Sequence, residues 1–214
     1  MEVLLDNLDS FGVGIRNTVA LALVSFAGAL VIGMIIASFR VSPVLPLRAA
    51  GATYVETIRN IPPLVLIVLF YFGFPNIGII YPEFTSAAIV LAVYTGAFVG
   101  EAIRAGVNTV SRGQAEAARA IGLTFVQTLS LVVMPQALRS VVPPLGNLFI
   151  ALVKNTSLAS VISVFDLTFI SKRLITDSSQ PLLVFFGTAL AYLLLTLPAG
   201  YVVGRIEQRT AIKR

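Results

Sequence analysis

Apolar stretches of membrane-crossing length dominate the chain. Asn17 to Phe39 carries no charge, and Pro181 to Gly204 is equally clean, with Pro198 as a candidate kink. Phe84 to Val107 is apolar as far as Gly100 and then carries Glu101 and Arg104. Val141 to Phe165 is apolar apart from Asn147, Lys154 and Asn155, and Pro143, Pro144 and Asn147 suggest an irregular entry. Each stretch meets the roughly 20 apolar residues that a helix needs to cross a ~30 Å hydrocarbon core. Ile61 to Phe74 is too short alone. Extended back to Tyr54 it becomes a fifth span, with Glu56 and Arg59 three residues apart on one face and Pro62 and Pro63 inside its first turns. The pattern predicts five transmembrane helices, at 17–39, 54–74, 84–107, 141–165 and 181–204, in one domain covering 1–214.

Composition agrees with an all-α integral membrane protein. Hydrophobic residues make up 57% of the chain and charged residues 12%, against roughly 25% charged in soluble domains. Cysteine, histidine and tryptophan are absent. Cysteine nucleophiles, His-based triads, Cys/His zinc sites and disulfides are therefore excluded. The three lysines, Lys154, Lys172 and Lys213, never follow a glycine, so the chain holds no P-loop. With no metal cluster and no nucleophile–base pair either, an intramembrane enzyme is disfavoured.

The net charge of +5 belongs to juxtamembrane arginines rather than to a nucleic-acid surface. If the N-terminus is outside, eleven basic residues are cytoplasmic: Arg40, Arg48, Arg59, Arg104, Arg112, Arg119, Arg139, Arg205, Arg209, Lys213 and Arg214. Only Arg16, Lys172 and Arg173 are then outside. The positive-inside rule gives N-out, C-in. The first span is long for a cleaved signal peptide and follows an acidic leader with Glu2, Asp6 and Asp9. No internal repeat, low-complexity segment or interdomain linker interrupts the pattern.

The cytoplasmic stretch 111–139 does not read as a simple loop. Ala115 to Ile121 are good helix formers and Gly122 is a C′ stop. Thr124 can cap a second helix running to Met134 and ended by Pro135. Small side chains at Ala115, Ala117, Ala118 and Ala120 allow close approach by a partner, and Glu116 and Arg119 stand at i, i+3. Such a helix suits insertion into a groove of another protein. Glu-Ala-Ala alone is common in helices, so the wider spacing carries the signal.

Polar residues within the spans are costly and rarely idle. Lys154, Asn155, Thr156 and Ser157 form a polar band that lines a substrate path or ties the bundle together. Asp166, near the outer end of the same span, either meets a substrate amino group or faces water. Glu101 and Arg104 read as a structural pair.

The spacing Gln114, Glu116-Ala117-Ala118, Gly122, Val132, Met134-Pro135 resembles the EAA loop of bacterial binding-protein-dependent ABC importer permeases. Val132 and Met134 replace the more usual isoleucine and leucine. Glu101-Ala-Ile-Arg104-Ala-Gly106, Pro135-Gln136-Ala137-Leu138-Arg139, Lys154-Asn155-Thr156-Ser157-Leu158 and Arg59-Asn60-Ile61-Pro62 resemble the polar amino-acid branch of that family. The match runs from about residue 15 to the C-terminus. The resemblance implies a type I importer fold in a bacterial cell membrane. It also implies a second permease subunit, paralogous or identical, two ATPase subunits and an external or periplasmic binding protein. Residues Gln114, Glu116, Ala117, Ala118, Gly122, Met134 and Pro135 would then dock the ATPase. ATP and magnesium would sit on that partner, and this chain would bind no cofactor. Phe98-Val99-Gly100-Glu101, Lys154-Asn155-Thr156 and Leu195-Thr-Leu-Pro-Ala-Gly200 resemble actinobacterial glutamate importer permeases. A neutral amide at Asn155 beside Lys154 leaves a positive local field that favours glutamate, with glutamine or another polar amino acid second. A self-contained secondary transporter is the alternative class, and it would leave the 111–139 segment as a mere connection.

Overall fold

The computed structural model describes residues 2–210, and these are helical throughout apart from short connections. A short α1 (Glu2–Leu5) precedes α2 (Leu8–Val41), which is 34 residues long. At 1.5 Å per residue α2 is about 50 Å long, well beyond a ~30 Å hydrocarbon core. It starts nine residues before the expected Asn17, and Asp9 in its first turn suits the positive end of the helix dipole. The added turns are held by burial. Phe11 packs with Leu167, Ile170 and Leu174 in a cluster separate from the main core.

The expected second span is broken. Helix α3 (Leu45–Arg59) carries Glu56 and Arg59, and α4 (Pro63–Val68) starts anew at an angle of 99°. Pro62 occupies the N-cap position of α4 with ψ 132°, and Pro63 occupies its first turn. Neither ring can donate to the helix behind it, and the residue before a proline is pushed towards extended backbone. Two adjacent prolines therefore divide the segment rather than sitting inside one continuous helix. Beyond α4 the chain widens into a π-helical turn at Leu69–Gly73 and tightens into a 3-10 turn at Phe74–Ile77.

Next come α5 (Glu83–Thr109), α6 (Arg112–Ala120), α7 (Phe125–Gln127), a π-helical stretch Thr128–Val133, and α8 (Met134–Asn155). A 3-10 segment Thr156–Ile162 extends α8, and α9 (Leu167–Ser178) and α10 (Pro181–Thr210) are the last described elements. Four helical runs are long and apolar enough to cross a membrane, and the bent pair makes five if it counts as one span. Helix α8 runs through Pro143 and Pro144 without a break, so the irregular entry expected there is absent. Lys213 and Arg214, placed on the cytoplasmic side by the sequence, lie outside the described residues.

Helices α2 and α5 form the centre of the bundle. A Cβ added at Gly33 would stand 2.3 Å from Val99 Cγ1, and one at Gly96 would stand 2.8 Å from Ile32 Cγ2. Small residues let the two backbones approach, which is how helices associate when lipid removes the hydrophobic drive between them. Around this seam Leu21, Leu91, Ile67, Leu152 and Ile162 are fully or almost fully buried. The Tyr54 hydroxyl ties α3 to α5 by donating to the Val93 carbonyl at 2.6 Å. Leucines and phenylalanines of α10, among them Leu182, Phe186 and Leu194, stay exposed, as a lipid-facing surface requires.

Candidate functional site

The segment between α5 and α8 is built by local capping. Helix α6 ends in a turn where Gly122 takes φ +91°, a conformation that costs a side-chain-bearing residue. The Gly122 N–H donates to the Arg119 carbonyl at 2.9 Å, and the Leu123 N–H donates to Ala118 at 3.1 Å. This pair of bonds is a Schellman motif, and it satisfies two carbonyls at the end of α6. Thr124 and Gln127 then cap the next helix reciprocally. Gln127 N–H donates to Thr124 Oγ1 at 3.3 Å, and Thr124 N–H donates to Gln127 Oε1 at 2.9 Å. The expected stop at Pro135 does not occur. The chain passes through the π-helical stretch and enters α8, with Pro135 in its first turn. The Gln136 side-chain amide donates to the Val132 carbonyl at 2.9 Å, supporting the change of pitch.

Gln114, Glu116, Ala117, Gly122 and Pro135 are exposed, whereas Ala118 is buried. Ala118 therefore holds α6 to its own chain, and the small-residue face offered outward is narrower than the four alanines suggest. Nothing is described for the Met134 side chain. Glu116 has no ion pair among the described residues. Two apolar residues missed by the sequence reading flank the Gly122 turn. Ile121 is 80% exposed and Val126 is 70% exposed. Both lie outside the membrane-crossing helices, so lipid does not account for them.

Glu101 and Arg104 pair as expected, with Arg104 Nε at 3.1 Å from Glu101 Oε1 and a second, shorter contact from the guanidinium. The tertiary structure adds Arg40, whose guanidinium lies 3.2 Å from Glu101 Oε2. Arg59 stands over the Phe98 ring, 5.1 Å from its centroid.

Two cavities follow one another along the cleft between α5 and α8. The first, about 440 Å³, is lined by Arg59, Phe98, Glu101, Pro144, Asn147 and Leu148. The second, about 170 Å³, is lined by Tyr94, Thr95, Phe98, Leu148, Ala151 and Asn155. Phe98 and Leu148 border both, so the cleft is one groove with an aromatic waist. Its lining comes from helical spacing, Asn147, Ala151 and Asn155 at fours along α8 and Tyr94 and Phe98 at four along α5. That periodicity was visible in the sequence, but the partner face of each helix was not.

The polar band on α8 divides. Asn155 lines the groove. Thr156 is fully buried and donates to the Val153 carbonyl at 2.7 Å, and Ser157 donates to the Lys154 carbonyl at 2.7 Å. These two hydroxyls satisfy carbonyls where α8 tightens into 3-10 geometry. The Lys154 side chain is exposed and lies off the groove stripe.

Asp166 neither faces water nor enters the groove. It is fully buried and caps α9, accepting from the Phe169 N–H at 2.9 Å and the Thr168 N–H at 3.2 Å. Burial pushes its carboxyl up to about 6, against the opposing pull of those bonds. Asp166→Ala is expected to lower the stability of the assembled protein by about 1 kcal/mol, the usual worth of a cap, while Asp166→Asn retains most of it. Thermal unfolding of the two variants in detergent checks this, and equal losses would show that capping is not the role.

Comparison with known proteins places these features. Residues 29–212 match the profile of the family described as "Binding-protein-dependent transport system inner membrane component". The chain is 39% identical over 209 residues to the probable glutamine ABC transporter permease protein GlnM of Bacillus subtilis, covering 98% of this chain and 97% of that one. It is 40% identical over 211 residues to the glutamate transport system permease protein GluC of Corynebacterium glutamicum, covering 92% of each. A crystal structure of an amino acid ABC transporter with histidines superposes with a TM-score of 0.92 at 31% identity, covering 96% of each chain. The inward-facing methionine ABC transporter MetNI shares the fold, with a TM-score of 0.80 at 21% identity over 99% of this chain and 98% of that one.

Proposed function

We propose a function for this chain on the premise that it belongs to the family of binding-protein-dependent transport system inner membrane components. It is the membrane-spanning permease subunit of an amino-acid ABC importer, resident in the cell membrane, and ATP hydrolysis belongs to a separate subunit. It works with an ATPase, a substrate-binding protein and another permease subunit.

Two permease subunits, identical or paralogous, face two ATPases, with the N-terminus outside and the C-terminus inside. The α6 segment and the Gly122 turn insert into the ATPase. The observation that carries this is the pair Ile121 and Val126, large apolar side chains exposed beside a tightly capped turn outside the membrane. A rigid helix–turn–helix with apolar tips transmits motion better than a mobile loop. ATP and magnesium sit on that partner. Closure of the ATPase pair draws the two α6 segments together and shifts the permease pair between two states.

The groove between α5 and α8 is the substrate path, with Asn155 its polar contact and Thr156 and Ser157 its support. Lys154, exposed on a membrane-crossing helix, needs cover that lipid cannot provide, so the second permease subunit packs over this face. Glutamate is the first choice of substrate and glutamine the second. An amide at Asn155 with a guanidinium further along the groove leaves no carboxylate to repel an acidic side chain except Glu101, which is already paired. Asn155→Asp is expected to reduce glutamate uptake into proteoliposomes at least tenfold and glutamine uptake much less. Equal effects on both would remove Asn155 from side-chain selection, and uptake of neither by the wild-type complex would refute the substrate class.

A further inference from the structure

The charge arrangement around the larger cavity is unbalanced. Glu101 is the acid of this cluster, and its oxygens already receive Arg104 and Arg40. Arg59 forms no salt bridge among the described residues. Its guanidinium is nonetheless held in place, by a cation–π contact 5.1 Å from the Phe98 centroid and by its position in the last turn of α3. That position is favourable for a cation, because helix carbonyls point towards it. A cation–π contact does not use up the guanidinium N–H donors, which remain available to a planar anion. Arg59 lines a cavity of about 440 Å³, which Asn147 also lines. This volume accommodates a small amino acid. The cavity continues past Phe98 and Leu148 into the space beside Asn155.

We propose that Arg59, held over Phe98 and assisted by Asn147, forms a second subsite in the groove that takes the α-carboxylate of the transported amino acid on its way to the cytoplasm. The subsite rests on the amino-acid permease reading, and it recognises a group that every amino acid carries. It therefore serves any substrate the Asn155 region admits. Phe98 borders both cavities, so a substrate leaving Asn155 passes the same ring that positions Arg59. Substrate carboxylate then replaces water on a fixed donor, which holds the amino acid until the groove opens inward.

The test uses the complete complex, ATP-free, in nanodiscs of neutral lipid. Binding of glutamate and of glutamine is measured, each against its α-carboxamide analogue. The wild-type complex is expected to prefer the carboxylate by roughly tenfold to hundredfold, the worth of one charge-assisted hydrogen bond. Arg59→Gln is expected to abolish that preference, and Arg59→Lys to keep part of it, because the charge remains and the planar fork is lost. Equal binding of acid and amide by the wild-type complex overturns the proposal without any variant. A preference that survives Arg59→Gln also overturns it. So does an Arg59→Gln defect seen only with anionic lipid, which would assign the guanidinium to a lipid phosphate. A wild-type complex that binds its substrate and imports it while failing these tests sinks the subsite alone. A complex that imports no amino acid sinks the permease reading itself, and the subsite with it.

Discussion

Gly122→Pro is expected to leave the chain inserted and the complex assembled, but to cut substrate uptake at least a hundredfold and to abolish stimulation of ATP hydrolysis by the loaded binding protein. The reason is local. Gly122 has φ +91°, and its N–H donates to the Arg119 carbonyl at 2.9 Å. Proline fixes φ near −65° and has no N–H, so the Schellman closure cannot form. The Ile121 and Val126 side chains then lose their mutual placement. Glu116→Lys attacks the same contact without touching the turn, since Glu116 is exposed and its reversal changes only the charge offered to the partner. Transport and ATPase rates measured in proteoliposomes decide the matter. Wild-type coupling in both variants would remove the segment from the docking role.

Glu101→Gln is expected to reduce the yield of folded complex severely, whatever the substrate. Glu101 lies between Arg40 and Arg104, and its loss strands two guanidiniums beside a third, Arg59, near the end of a membrane-crossing helix. Breaking such a partly exposed network costs on the order of 1–3 kcal/mol, between the worth of a surface pair and that of a buried one. Arg104→Gln should be milder, because Arg40 still neutralises the carboxylate. Size-exclusion yield and thermal unfolding of both variants give the comparison. A Glu101→Gln complex as stable as wild type with altered transport would mean that the acid serves the path and not the scaffold.

Much was legible from sequence because lipid is a simple solvent. A run such as Asn17 to Phe39 has no stable state other than a helix in or against a membrane. Four of the five expected spans coincide with long helices, with the first span starting nine residues early and the fourth displaced by a similar amount. Those displacements are tertiary. The first turns of α2 form because Phe11 finds the α9 cluster, which is remote in sequence. The Gly122 turn was legible for the opposite reason. It depends on one glycine and the carbonyls of the four residues before it.

The readings that changed turned either on partners from other elements or on local bonds that residue type alone leaves open. Pro62 and Pro63 in sequence allow a kink or a division, and the packing of α3 against α5, with Tyr54 on Val93, selects the 99° division. Pro135 signals a stop, yet the helix continues because a π-helical turn and the Gln136 amide absorb the missing donor. Asp166 looks like a substrate contact until its carboxylate is found on the N–H groups of α9. Arg40 lies 61 residues from Glu101, and no periodicity links them. Sequence by itself determined which segments are helical in lipid and where a short-range turn forms, because both depend on side chains within a few residues and on the solvent. Only the tertiary structure decided which face of each helix is inside, that Arg40 joins the Glu101–Arg104 pair, and that Asn155 and Arg59 share one groove while Lys154 does not. Those outcomes depend on helix rotation and contact, which a polar residue's type and spacing leave free.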